Sequence, residues 1–380
     1  MTSPTPYYQY DLDLLRHTLA EAKSQSNKFG YHVHYALKAN SNARILEIIK
    51  DHGFGADCVS GNEVDRAIEI GFDPQHIVFA GVGKSDAEIN IGLTNDIFCF
   101  NCESIQEIEI INELAFQQGK VAQIALRINP NVDAKTHEYI TTGLEENKFG
   151  ISSWEFEKVL ETLSNCSYIS CIGLHFHIGS QITDLEVFAQ LAQSVNVINR
   201  WFADHGLQVQ MINLGGGLGI DYQNPNENLV PDFKSYFETF DNHLELLVEQ
   251  EVHFELGRSL VGQCGALITR VLFIKHGLHK KFMILDGGMT ELLRPALYQS
   301  QHFIENISRA ETDDMTFYDV VGPVCESSDC FGKGVNLPTS QRGDIIAIKS
   351  AGAYSEVMAS NYNLRKLNPA EYQSIKKQLT

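Results

Sequence analysis

The chain has 380 residues, 43% hydrophobic and 20% charged, with a formal net charge of −19; this suffices for two cores, or for one large barrel with an appendage. So acidic a chain repels phosphate backbones and anionic lipid, which excludes nucleic acid and membrane surfaces as partners and requires local arginines for an anionic substrate. No apolar run reaches the length of a membrane span, and the start "MTSPTPYYQYDLDLL" lacks the basic and apolar regions of a signal peptide, which predicts a cytoplasmic protein. Eight cysteines, at 58, 99, 102, 166, 171, 264, 325 and 330, are too sparse for a disulfide framework and predict reduced thiols. Cys99 and Cys102 form "CFNC", but no second pair stands at zinc-finger spacing and the segment reads as a strand end, so no metal is predicted.

In chain order, β-rich runs fall at 32–37, 55–60, 76–81, 97–102, 123–129, 171–179, 210–217 and 253–259. Between them lie stretches with helical spacing, such as "ARILEIIKDHG", "SIQEIEIINELAFQQG" and "DLEVFAQLAQSVNVINRWFADHG", several stopped by glycine. Eight strand and helix alternations predict an α/β fold of the (β/α)8 type over 26–260, with function at the C-terminal ends of the strands; a doubly wound open sheet is the structural rival. The long connection between the fifth and sixth strands, with "EENK" at 145–148, is the candidate for a lid. After residue 260 the runs "CGALITRVLFIKHG", "KKFMILDGG", "MTFYDVVGPVCES" and "GDIIAIKSAGAY" follow one another through turns, which predicts a C-terminal antiparallel β-barrel or sandwich domain. Residues 1–25, with "PYYQYDLDLL", are assigned to that domain with 261–380.

Chemistry-bearing residues gather at the predicted strand ends: Lys38 after the first, His177 after the sixth, Gly215, Gly216 and Gly217 after the seventh, Glu255 and Arg258 after the eighth. Taken singly, Lys38 is a lysine reaching solvent, His177 a core histidine, Glu255 an ion-pair partner of Arg258, and the glycines a tight turn. Together they supply an amine for a Schiff base, a flat imidazole, a carboxylate and a backbone cradle for phosphate, extended by the Ser180 hydroxyl; these are the needs of pyridoxal 5'-phosphate.

The motifs "YALKAN", "HIGSQI", "GGGLG", "ELGR", "GPVCES" and "GAY", in this order, resemble those of the fold-type III pyridoxal-phosphate decarboxylases, the alanine-racemase-like barrel group that includes ornithine decarboxylase. Within it, "RINPNVDAKTHEYITTGLEENKFGI", "MTELLRPALY" and "CESSD" resemble the diaminopimelate decarboxylases, and the likeness covers nearly the whole chain. The resemblance implies a homodimer with shared active sites and a cofactor site of Lys38, Asp57, His177, Ser180, Gly215, Gly216, Gly217, Glu255, Gly257, Arg258 and Tyr354. It implies a substrate site of Arg258, Arg294, Tyr298, Glu326 and Tyr354, with Cys325 and Glu326 contributed by the neighbouring subunit and Lys38 and Cys325 as the catalytic pair. Two departures stand out: Leu256 replaces the family proline of E-P-G-R, which loosens the turn there, and "DGGMTE" replaces D-A-G-M-N-D.

The far end of the substrate discriminates within the group. Ornithine, lysine and arginine present only a cation, whereas meso-2,6-diaminopimelate presents an amine and a carboxylate, which call for an acid such as Glu326 and a forked guanidinium such as Arg258 or Arg294. Tyr298 lies one turn beyond Arg294 if "ELLRPALY" is helical; without the resemblance Arg294 is a solvated surface arginine and Cys325 a buried inert thiol. The expected reaction is decarboxylation of meso-diaminopimelate to L-lysine and carbon dioxide, the last step of lysine biosynthesis, with Cys325 as proton donor. Carboxynorspermidine decarboxylase, or another basic amino-acid decarboxylase of the fold, is the alternative. A racemase is disfavoured by the cysteine-glutamate pair, and an inactive binding protein by the joint presence of Lys38, Glu255 and Cys325.

Overall fold

The computed structural model describes residues 4–132, 148–309 and 314–374. The chain groups into two compact units, one of Leu19–Gly219 and Asp232–Gly257, the other of Met1–Thr18, Ile220–Pro231 and Arg258–Thr380. Strand β1 (Tyr7–Asp11) belongs to the second. The first unit holds β2 (His32–Ala36), β3 (Gly55–Cys58), β4 (Ile77–Phe79), β5 (Cys99–Cys102), β6 (Ala122–Arg127), β7 (Ile169–His175), β8 (Met211–Asn213) and β9 (Glu251–Leu256). All pair in parallel, and β9 returns onto β2 to close the barrel. The eightfold alternation in the sequence is borne out, and the open sheet is excluded.

Local chemistry explains the alternation. Strands β3, β4, β5 and β8 are buried at every residue, the condition in which a parallel strand reads as a short continuous apolar run. Helices are then started by side-chain caps: Ser60 accepts from the Glu63 N–H, Ser104 from the Glu107 N–H, and Ser85 forms a reciprocal capping box with Glu88. Two are ended by Gly71 and Gly119, at φ +91° and +64°, where a side chain would be strained. Cys99 and Cys102 lie inside β5 with both thiols pushed well up by burial, which makes them inert packing residues. Lys38 sits one step past its expected place, in a single 3-10 turn (Leu37–Ala39) that follows β2.

In the second unit, β10 (Gly265–His276), β11 (Lys281–Leu285), β12 (Ile304–Asn306), β13 (Met315–Val321), β14 (Cys330–Pro338), β15 (Ile345–Ile348) and β16 (Glu371–Gln373) join β1 in an eight-stranded sheet. Most pairings are antiparallel, including β1 with β10, as the sequence predicts. Two differ: β11 pairs β13 and β1 pairs β16 in parallel. Strand β14, "CFGKGVNLP", has the composition of a loop, and its ladder to β13 makes it a strand. Leu256 also departs from expectation, being fully buried and in register with Tyr35, so the strand runs on through the proline position without a loosened turn.

The outer face of β9 is fixed by rings. Phe254 lies 5.1 to 5.6 Å, centroid to centroid, from Phe237, Phe240, Tyr31 and Tyr236. Phe254→Ala is expected to destabilise the protein by about 3–5 kcal/mol in urea unfolding. A loss below about 1 kcal/mol would show that β9 is held by something other than this cluster.

Candidate active site

At the C-terminal mouth of the barrel, the turn after β2 presents Lys38, whose Nζ donates to Asp57 Oδ2 at 2.8 Å. Asp57 is fully buried in β3, and its Oδ1 makes no hydrogen bond. Burial, reinforced by the Glu255 charge and opposed by Lys38, pushes its pKa up to about 7.

Glu255 enters from β9 and reaches across the barrel. Its Oε1 accepts from Asn101 Nδ2 at 2.9 Å and from Asn213 Nδ2 at 2.8 Å, while Oε2 lies 3.0 Å from His175 Nε2. Burial pushes this carboxyl up, but the opposing pull of His175, Lys38 and His177 holds it well below the usual range. The outcome is a dry, fully ionised carboxylate. His177 follows β7; burial, then Arg127 and Lys38, pull its pKa well down and keep the ring neutral.

The glycine loop lies beside it. The Gly216 N–H donates to His177 Nδ1 at 3.3 Å and the Gly215 N–H to Asn213 Oδ1 at 2.9 Å. A Cβ on Gly216 would collide with the Glu255 carbonyl, and one on Gly215 with the Phe176 carbonyl and the His177 ring. These two glycines therefore act through close backbone approach, not through free amides. The segment bearing Ser180 is tied to the loop by Ile182 N–H to Gly217 O and Gly219 N–H to Ile182 O, both 2.9 Å. Gly257 is buried just after β9. Lys38, Gly81, Arg127, His177 and Glu255 open on one cavity of about 410 Å³.

The second unit carries its own cluster. Arg258 and Arg294 are both buried, with the Tyr354 ring 4.9 and 5.5 Å from their guanidinium carbons. Arg258 Nη1 donates to the Tyr222 hydroxyl at 2.5 Å. Arg294 opens the helical turn Arg294–Tyr298 and lies 4.8 Å from the Tyr298 ring, the one-turn spacing the sequence predicts. Arg294 is thus no solvated surface arginine. Its Nε makes no hydrogen bond among the described residues, and burial together with Arg258 lowers its pKa. Tyr354 adopts φ +54°, a strained conformation for a side-chain-bearing residue. Cys325 is exposed, not buried, with its N–H donating to Asn363 Oδ1. The exposed Glu326 accepts from the Tyr362 hydroxyl at 2.7 Å, so neither residue hydrogen-bonds to the arginines.

A primary amine, a dry carboxylate, a neutral imidazole and a cradle that a Cβ would fill suit a phosphorylated pyridine bearing an aldehyde. The family model of the pyridoxal-dependent decarboxylase pyridoxal-binding domain matches residues 14–262. The chain belongs to the pyridoxal-dependent decarboxylases. The diaminopimelate decarboxylase of Bacteroides thetaiotaomicron is 54% identical to it over 98% of this chain and 96% of the relative. That of Neisseria meningitidis serogroup B is 40% identical over 95% and 86%. The crystal structure of the Helicobacter pylori diaminopimelate decarboxylase complexed with L-lysine superposes with a TM-score of 0.91 at 42% identity, covering 97% of this chain and 92% of that one.

The cofactor of this pyridoxal-dependent decarboxylase is pyridoxal phosphate. Four mouth residues went unselected in the sequence: Asn101, Arg127, His175 and Asn213. Arg127, which ends β6, is held by Glu103 at 2.6 Å and lies 4.8 Å from the Phe149 ring. A strand-end position was their available signal. The stretch 133–147, with most of the "EENK" lid candidate, lies outside the described residues.

Asp57 generates a pH prediction for the cofactor-free chain. A carboxyl whose folded pKa exceeds its unfolded one stabilises the fold below the unfolded value and loses that contribution as pH rises through the folded one. Wild type should therefore lose stability relative to Asp57→Asn between about pH 4, the unfolded carboxyl value, and about 7. Urea midpoints at stepped pH read this directly; a difference that stays flat across the window would contradict the raised pKa.

Proposed function

We propose that this decarboxylase converts meso-2,6-diaminopimelate to L-lysine and carbon dioxide, as a cytoplasmic homodimer. The observation that carries the specificity is Arg294: a guanidinium only 6% exposed, beside a second buried arginine, with an unused Nε donor. A buried guanidinium with a spare donor, beside a second positive charge, is matched by a carboxylate, which a substrate ending in an amine alone does not supply. The relatives of matching length are named diaminopimelate decarboxylases, which supports the same choice.

In this scheme Lys38 holds the cofactor through its amine, with Asp57 fixing the Nζ. Bound, pyridoxal phosphate supplies an electron sink for the pair left behind when carbon dioxide departs. Glu255, held ionised, would face the pyridine end of the cofactor and favour a proton there. His177, neutral and flat, packs against the ring, while Ser180 and the 215–217 backbone shape the phosphate pocket together with Gly257. Arg258 and Arg294 clamp the distal carboxylate, Tyr298 and Tyr354 wall it, and Glu326 of the partner subunit pairs the distal amine. Cys325 of the partner subunit would supply, from Sγ, the proton that replaces the lost carboxylate.

The test offers meso-diaminopimelate, L-ornithine and carboxynorspermidine separately to the purified holoenzyme. Lysine and carbon dioxide should form from meso-diaminopimelate alone, and Lys38→Ala should lose both turnover and the bound cofactor's visible absorption. Arg294→Gln should raise KM roughly 10- to 100-fold through loss of a charged hydrogen bond of about 1.5–3 kcal/mol. Turnover of another substrate, or an unchanged KM, would overturn the specificity assignment.

Sharing of sites is read by complementation. Lys38→Ala and Cys325→Ala, each inactive alone, should recover roughly a quarter of wild-type activity on mixing and re-pairing, because half the dimers are mixed and each mixed dimer keeps one intact site. No recovery, with mixed dimers demonstrated, would place Cys325 in its own chain's site.

A further inference from the structure

At the opposite end of the barrel, three side chains converge that the decarboxylation does not use. Glu255 crosses the barrel interior to residues of β5, β7 and β8, so the two-residue period of β9 turns His253 and Glu251 to the same inner face. His32, the first residue of β2, is in register with His253. Glu251 Oε2 lies 3.7 Å from His32 Nε2 and 3.6 Å from His253 Nε2, and the three atoms lie within 4.8 Å of one another.

A hydrogen-bond relay fixes the state of the buried ring. The His76 carbonyl accepts from His34 Nδ1–H at 3.0 Å, which leaves His34 Nε2 to accept from His253 Nδ1–H at 2.9 Å. His253 Nε2 then carries a bare lone pair; it is buried, makes no hydrogen bond and faces the Glu251 carboxylate. The ring is only 4% exposed. The relay is built in: a Cβ on Gly55 would collide with the His34 ring, and Phe98 stacks within 6.5 Å of His34 and 5.6 Å of His253. Burial, then His34 and His32, lower the His253 pKa to about 2, so the ring stays neutral.

Two imidazoles, stacked with centroids 4.7 Å apart, and a carboxylate that bring one ligand atom each within 4.8 Å of the others make a set that asks for a cation. We propose that His32, Glu251 and His253 bind one divalent zinc ion at the N-terminal end of the barrel, with water completing a tetrahedron. Tetrahedral bonds of about 2.0–2.1 Å place ligand atoms about 3.3 Å apart, close to the two separations from Glu251. The His76 carbonyl and His34 are the outer partners that set ring orientation in such sites. His32 and Glu251 are half to two-thirds exposed, so an ion can enter from solvent.

The test uses the pyridoxal-loaded enzyme, stripped with a chelator and dialysed against zinc chloride, with bound metal counted by mass spectrometry. One zinc per chain is expected, with a nitrogen and oxygen shell free of sulfur by X-ray absorption and a raised melting temperature. His32→Ala and Glu251→Ala, both exposed and outside the catalytic machinery, should each weaken zinc affinity by more than the roughly 10- to 100-fold that loss of an outer partner costs, while decarboxylation stays unchanged. No saturable zinc, binding retained in both variants, or sulfur in the shell would overturn the proposal.

Discussion

The ionised Glu255 carboxylate is the constraint around which the barrel mouth is organised. A charge buried this deeply survives only if its lone pairs are taken, and Asn101, His175 and Asn213 take them from three other strands. Each partner is therefore committed to an inward rotamer, and the β5, β7, β8 and β9 termini are held at fixed distances. Burial first, and then the same field, raise the Asp57 pKa, which sets the balance of the Lys38–Asp57 pair. One carboxylate thus links the frame of the site to the state of its reacting amine.

The second unit solves a different electrostatic problem. Arg258 and Arg294 share the face of Tyr354, and tyrosine rings take the places that acids would fill in a structural ion-pair network. Aromatic faces stabilise guanidinium groups only in part, so the pair keeps positive potential, and Arg294 Nε has no hydrogen bond among the described residues. An anion relieves this cost. The residue that carries this shared ring, Tyr354, is itself held in a strained backbone conformation.

Much of this could be read from the chain. Eight strands emerged because parallel strands buried on both faces leave short apolar runs between capped helices, and Lys38, His177 and Glu255 were visible because a polar residue at a strand end breaks the pattern. Asn101, Asn213 and His175 escaped although two of them end their strands, because the value of each depends on facing Glu255 across the barrel, a relation between positions 42 to 154 residues apart. The parallel pairing of β11 with β13 and the strand character of β14 were hidden for a similar reason: pairing partners, not composition, decide them. The glycines were visible as a run, but only the hydrogen bonds reveal that two of the three amides are engaged by Asn213 and His177.

The inner face of β9 reads Glu251, His253, Glu255, where barrel interiors ordinarily carry branched apolar side chains. The two acids at its ends differ because their surroundings differ. Glu255 is enclosed, saturated by amide and imidazole donors, and so held as an anion. Glu251 is exposed and faces the buried, unbonded Nε2 of His253 and the imidazole of His32. A relay that ends on the His76 carbonyl runs in one direction only, so it cannot reverse to place a proton on His253 Nε2 without breaking the His34–His253 hydrogen bond or charging a buried ring. A cation is the species that satisfies both acceptors without either cost. The strand that builds the catalytic mouth therefore builds a second polar site at its other end.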